Sequence, residues 1–168
     1  MTAEPVEHMT DWSTEAARLS HLLVVEPYFG AADALRVALD RASGWLGPIV
    51  DDAPSGVRRH VTDLRLRVGD QPGRATFRKA AYVDIGRIRR VSRGYEVEIS
   101  WRAATLAPLF PVFSGKLAIA DGELRLEGWY APPGGAIGFV ADRALLNVAA
   151  RRTGRWFLDE LVEAADAG

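Results

Sequence analysis

The chain has 168 residues, 48% hydrophobic and 26% charged, a balance that fits a globular domain with a sizeable core and excludes a disordered chain. Its formal net charge of -1 argues against a protein that grips nucleic acid mainly through phosphates, although 21 Lys and Arg leave room for a local basic patch. With no Cys there is no disulfide, thiol nucleophile or Cys-ligated metal, which fits a reducing compartment.

The opening stretch MTAEPVEHMTDWSTEA is polar and acidic, without the basic start and apolar run of a secretory signal. Residues 1–13 read as a flexible tail and 14–168 as one domain. No apolar run approaches the ~18 residues of a membrane span, so the expectation is a soluble cytoplasmic protein with no stable membrane insertion.

The first element, RLSHLLVVEPYF, predicts a strand ended by Pro27, with Leu19, His21, Leu23 and Val25 on one face. GAADALRVALDRASGW predicts a helix with Leu35, Ala38, Leu39 and Ala42 on one side and Gly44 at its end. LGPIVDDAPSG reads as a loop or short helical turn.

Strands follow. VRRHVTDLRLRV sets Leu64, Leu66 and Val68 against Arg65 and Arg67. RATFRKAAYVDIG sets Phe77, Ala81, Val83 and Ile85 against Thr76, Arg78, Tyr82 and Asp84. YEVEISW sets Tyr95, Val97, Ile99 and Trp101 against Glu96, Glu98 and Ser100, the alternation of a half-buried antiparallel strand. AATLAPLFP breaks this pattern with two prolines yet stays apolar. VFSGKLAIA and ELRLEGWYA form a hairpin on Asp121-Gly122, since both residues tolerate φ > 0.

The last predicted element is a helix over Ala136–Ala165. Phe139, Leu146, Ala149, Ala150, Thr153, Phe157, Leu161 and Ala164 recur at three- and four-residue steps as one apolar stripe. A strand, a helix, about five further antiparallel strands and a long helix make an α+β plan. A curved antiparallel sheet wrapped around the C-terminal helix would cover that stripe.

The turn YAPPGGAIG invites comparison with a phosphate-binding loop. Gly134, Gly135 and Gly138 do not match G-x-G-x-x-G, no strand follows the helix, and no G-K-[ST] is present. The favoured reading is structural: Pro132 and Pro133 stop the strand, the Gly pair reverses the chain and Gly138 permits close packing.

The stretch ELRLEGWYAPPGGAIGFVADRALLNVAARRTGRWFLDEL resembles the C-terminal pattern of uncharacterised bacterial members of the START-like, helix-grip (SRPBCC) superfamily. The turn carries Tyr130, Pro132, Pro133, Gly134 and Gly138. The helix carries Asp142, Leu145, Leu146, Ala149, Thr153, Arg155, Phe157 and Leu158. The superfamily includes polyketide cyclases, aromatases and lipid-transfer domains. The resemblance implies a cavity between sheet and helix, and no shared catalytic residues.

Few residues suggest chemistry. His8, His21 and His60 form no metal-binding spacing, and no metal or cofactor is expected. His21 is either a pocket base or, more commonly, a hydrogen-bonded core or edge histidine. Tyr82 and Asp84, with Arg78, would bind a polar group if their face lined the cavity, but a solvated face is the commoner case. Glu96 and Glu98 would pair with Arg65, Arg67 or Arg78 across strands. Arg151, Arg152 and Arg155 with Arg87, Arg89 and Arg90 could form an anion patch; helical pairs such as Arg155–Asp159 are the ordinary explanation.

The expected ligand-binding residues are Tyr82, Trp101, Phe110, Phe113, Trp129, Ala149 and Thr153, with Trp156 as further aromatic lining. The expected partner is a small apolar or amphipathic molecule, lipid- or polyketide-like, and not nucleic acid. The alternative is a cyclase or dehydratase using Tyr82, Asp84 or His21 as acid–base groups. A filled structural core is the third reading.

Overall fold

The computed structural model describes residues 19–67, 76–104, 112–131 and 143–168, with side chains for all of these except 64–67, 76–79 and 143–146. Strand β1 (Ser20–Tyr28) leads to helix α1 (Ala32–Asp40), a 3-10 turn (Ala42–Gly44) and the short β2 (Ile49–Val50). Then come β3 (Arg58–Arg67), β4 (Thr76–Ile85), β5 (Arg89–Val91), β6 (Gly94–Ala103), β7 (Val112–Ala120), β8 (Gly122–Ala131) and helix α2 (Arg143–Asp166).

All strand pairs are antiparallel, in the order β1-β8-β7-β6-β4-β3-β2, with β5 alongside β6. This is the expected α+β plan, an antiparallel curved sheet with a long C-terminal helix on one face. The six long strands are those the alternation predicts. The two additional ones, β2 and β5, are two and three residues long. Elements that short show no period of two, so they read as loop.

Strand β1 corrects two expectations. It runs through Pro27 to Tyr28 because it is the sheet's edge, where proline is tolerated. Its inward residues are Leu22, Val24 and Tyr28, and not the set Leu19, His21, Leu23 and Val25. Apolar residues occupy both parities of SHLLVVEPY, so alternation could not choose. The helix chooses. A side chain at Gly154 of α2 would begin 3.0 Å from Val24 and 3.7 Å from Leu22, so the bare glycine lets α2 settle onto that face.

Helix α1 buries Leu35, Ala38 and Leu39, with Ala42 and Leu46 continuing the same apolar side. Its last turn is held by the Arg58 guanidinium donating to the Asp40 carbonyl at 3.0 Å. Helix α2 buries Ala150, Thr153, Phe157, Leu158 and Leu161, while Ala149 lies half-buried on the shoulder of the stripe. The first part of the expected helix, from Ala136, and the turn glycines Gly134, Gly135 and Gly138 lie outside the described residues, as do the 1–13 tail and Phe110.

The β7–β8 hairpin turns on Asp121-Gly122, with Ala120 opposite Glu123 and Gly122 at φ 85°. Further along it, Gly115 faces Gly128. A Cβ at Gly115 would lie 2.3 Å from the Glu127 carbonyl oxygen and 2.6 Å from the Phe113 ring. The two glycines thus form a flat floor on which the Phe113 ring lies. Gly115→Ala is expected to lower stability by about 2 kcal/mol through overpacking. Gly44→Ala, whose Cβ would meet nothing within 4 Å, is expected to cost nothing. Denaturant melts of the two variants check this contrast.

Candidate functional site

Antiparallel pairing aligns one residue per strand into a row across the inward face: Tyr130, Phe113, Trp101, Val83 and His60. All five are buried. The Trp101 and Phe113 rings stack, with centroids 4.2 Å apart and planes 23° from parallel. Phe157 of α2 closes over them, 6.2 Å from Trp101 and 5.7 Å from Trp45. The middle of the row is therefore an aromatic wall roofed by the helix.

The β3 end of the row is polar. His60 is 0% exposed, and its Nδ1 lies 2.8 Å from the Gly47 carbonyl oxygen. A carbonyl only accepts, so Nδ1 carries the proton and Nε2 is left as a bare acceptor. Burial pushes the His60 pKa below the ordinary histidine value, outweighing the bond to Gly47, so the ring is neutral at pH 7. Gly47 has φ 114°, and a Cβ there would sit 2.2 Å from the Val61 carbonyl oxygen. Only glycine can bring its carbonyl to His60 this way.

Among the described residues, two buried side-chain nitrogens have no hydrogen-bond partner: His60 Nε2 and Trp101 Nε1. Buried polar atoms are normally paired, so each invites an explanation. Both belong to the same inward row, separated by Val83.

A groove of about 510 Å³ lies at this end of the sheet, between the 43–48 turn, β3 and α2. Trp45, Leu46, Gly47, Thr62, Trp156 and Glu160 are among its lining residues. Thr62 is the next inward position along β3 after His60, and Gly47 is the residue that holds His60.

The structure divides the sequence-predicted residues between the two faces. Trp101 and Phe113 lie in the inward aromatic wall. Thr153 is buried, but its hydroxyl donates to the Ala149 carbonyl one turn earlier at 3.0 Å. Trp129 is 53% exposed on the opposite face, edge-on to His21, whose Nε2 lies 3.1 Å from Glu127. Tyr82 and Asp84 also point away from α2, because Ala81, Val83 and Ile85 take the inward parity of β4. Tyr82, Asp84, His21 and Trp129 therefore do not line the sheet–helix space.

The outer face has its own order. Arg59, 8% exposed, makes a two-pronged contact with Asp84 at 2.7 and 2.8 Å and also reaches Asp52 at 3.1 Å. These carboxylates hold its guanidinium above the ordinary arginine pKa, against the opposing effect of burial. Arg59 and Arg102 lie 5.7 and 4.9 Å from the Tyr82 ring centroid.

Two charge pairings reach partners the sequence did not suggest. Glu96 and Glu98 meet Arg89 of β5, a strand the sequence did not reveal, at 4.0 and 3.9 Å, while the side chains of Arg65, Arg67 and Arg78 lie outside those described. The close partner of Arg155 is Glu26 of β1 at 3.2 Å, a tertiary contact added to its attraction for Asp159 one turn along the helix. Arg151 likewise reaches β1, donating to the Leu23 carbonyl. Arg89 on one side and Arg151 and Arg155 on the other thus serve different parts of the sheet.

The principal residue missed by sequence reasoning is His60. A signal existed: it shares the parity of Leu64 and Leu66, the apolar set of its strand. Trp45 was missed because it follows the helix in a turn, where no periodicity applies.

Among the described residues no cluster of potential metal ligands occurs, and no helix is long and apolar enough to cross a membrane. No family model matches the chain, and no curated protein sequence matches it. Among solved structures the chain is similar to the di-domain ARO/CYC BexL from the BE-7585A biosynthetic pathway, with TM-score 0.59 and 16% identity. The alignment covers 92% of this chain and 52% of BexL, so the chain spans about half the length of that protein. A conserved protein from Geobacillus kaustophilus aligns with TM-score 0.49 and 15% identity over 88% of this chain and 96% of that one. The likeness to BexL and the strand order define the class, an α+β helix-grip fold.

Proposed function

We propose that this START-like helix-grip domain binds a small apolar or amphipathic molecule, lipid- or polyketide-like, between the sheet and α2. The observation that carries the reading is the groove of about 510 Å³ at the β3–α2 seam, which has Trp45 and Trp156 in its lining and the aromatic wall behind it. Small-molecule sites combine aromatic and apolar walls with placed polar groups, and this groove sets Trp45, Leu46 and Trp156 beside Ser43, Thr62, Asp63 and Glu160, a lining suited to an amphipathic molecule. The structural likeness to an ARO/CYC protein supports the same reading. It also keeps a cyclase-type reaction as the second reading, with His60 an inward-facing titratable group in place of Tyr82, Asp84 or His21.

The test is titration with the amphipathic dye 1-anilinonaphthalene-8-sulfonate. Saturable binding to one site with a change in Trp emission is expected, and ligand at ~100 times its dissociation constant should add ~2.7 kcal/mol of stability. Trp156→Ala should weaken binding at least about fivefold by removing groove lining. Trp129→Ala, on the outer face, should leave it unchanged. A folded protein without saturable binding, or one that loses affinity only through Trp129, would overturn the proposal.

A further inference from the structure

We infer that the protein has a second binding site, a basic groove beside α1 that takes a small phosphate-bearing molecule. This groove is separate from the one lined by Trp156 and does not depend on the reading above.

The groove, of about 570 Å³, lies where α1, the start of β3, the β4–β5 connection and β5 come together. Its lining carries four arginines, Arg36, Arg58, Arg87 and Arg90, against one carboxylate, Asp40. Spacing along the chain hides this group, because the four arrive from different segments. The fold gathers them. Arg58 has the inward parity of His60 and Thr62, so it meets α1 and donates to the Asp40 carbonyl at 3.0 Å. Arg36 stands one helical turn before Asp40 and donates to its carboxylate at 2.7 Å. Arg90 is directly opposite Tyr95 on β6, and residues paired in this way share one face of a sheet. The Arg36 guanidinium lies 6.0 Å from the Tyr95 ring centroid. Arg87 borders the turn before β3, where a Cβ on Gly56 would meet its Nη2 at 3.8 Å.

The charges do not cancel. Asp40 is shared between Arg36 and Arg58, whose Nη2 is 4.0 Å from it. Asp33 accepts from the Tyr95 hydroxyl and lies 3.8 Å from Arg36. Among the described residues, Arg87 and Arg90 have no carboxylate within ion-pair distance. Like charges in a concave site repel one another and focus a positive field, which an anion relieves. Guanidinium forks match phosphate oxygens two at a time. A phosphate monoester carries about -1.5 to -2 charge near pH 7, enough to offset the two unpaired arginines. The arginines surround a hollow, and the whole chain has a net charge of -1, so a compact anion suits the site better than nucleic acid or a membrane. Val57, Ile88 and Tyr95 in the same lining offer an organic ester apolar contact.

The experiment titrates the intact protein with phenyl phosphate and with inorganic phosphate at low salt. Saturable binding at one site is expected, and the Gly56 and Gly86 amide signals, both in the groove lining, should shift. The tighter of the two probes distinguishes an ester from free phosphate, and either supports the site. Arg87→Gln/Arg90→Gln should weaken binding at least about tenfold while melting like the wild type, since both side chains are exposed and outside any ion pair. Arg89→Gln removes the same charge from the neighbouring position, which faces Glu96 and Glu98, and should leave the affinity within about twofold. Trp156→Ala, in the other groove, should leave it unchanged. Absence of saturable binding, or amide shifts confined to other parts of the chain, would overturn the inference. So would an equal loss in Arg89→Gln, which would reduce the effect to general charge, or full affinity in the double variant. Binding to phosphatidic acid vesicles or single-stranded DNA, with none to either phosphate probe, would replace it with a docking face. All of these results leave the reading of the Trp156 groove standing.

Discussion

Phe157→Asp is expected to leave no cooperatively folded protein at 25 °C. Phe157 is 1% exposed, at the point where α2 meets both Trp101 of the sheet and Trp45 after α1. Losing a buried phenyl ring costs about 3–5 kcal/mol. An aspartate there would in addition need partners for a carboxylate among aromatic rings, or would have to take up a proton, and either adds several kcal/mol. The sum is comparable with the whole stability of a domain, about 5–15 kcal/mol. Circular dichroism and thermal melting check this. A soluble variant with a sharp transition would show that the α2 stripe does not face the core.

The second large effect is predicted on the opposite side of the sheet. Asp84→Ala is expected to destabilise the protein by about 3 kcal/mol, because it leaves the Arg59 guanidinium largely buried with only Asp52 as an ionic partner. For a chain of this size that corresponds to a fall of roughly 6–12 °C in Tm. The double variant Arg59→Leu/Asp84→Leu should recover most of the loss, since an apolar pair needs no charge compensation. A double-mutant cycle measures this coupling directly. If Asp84→Ala melts with the wild type, the pair contributes nothing, and Asp52 and Tyr82 suffice to hold Arg59.

Much of the inward face was legible wherever one parity of a strand was apolar and the other charged. In YEVEISW, Tyr95, Val97, Ile99 and Trp101 are the buried set, as read. The stripe Ala150, Thr153, Phe157 and Leu161 was legible for the same reason in helical form. The reading failed where both parities were apolar, as in β1. It also failed where polar residues were buried by partners distant in sequence: Arg59 is covered through Asp84 and Asp52, and His60 through Gly47. None of these partners is encoded by spacing along the chain.

By itself, then, the sequence determined the element order, the six long strands, the hairpin at Asp121-Gly122 and the helical stripe. These depend on local backbone preferences and on the period with which apolar residues recur, both of which are properties of neighbours in the chain. The tertiary structure alone decided which face of β1 turns inward, that Tyr82 and Trp129 lie outside, and that His60 and Trp101 share a row. Those facts depend on strand register and on how closely α2 approaches through Gly154. Register and approach arise from contacts between residues far apart in sequence, so they come into being only when the sheet and helix close on one another.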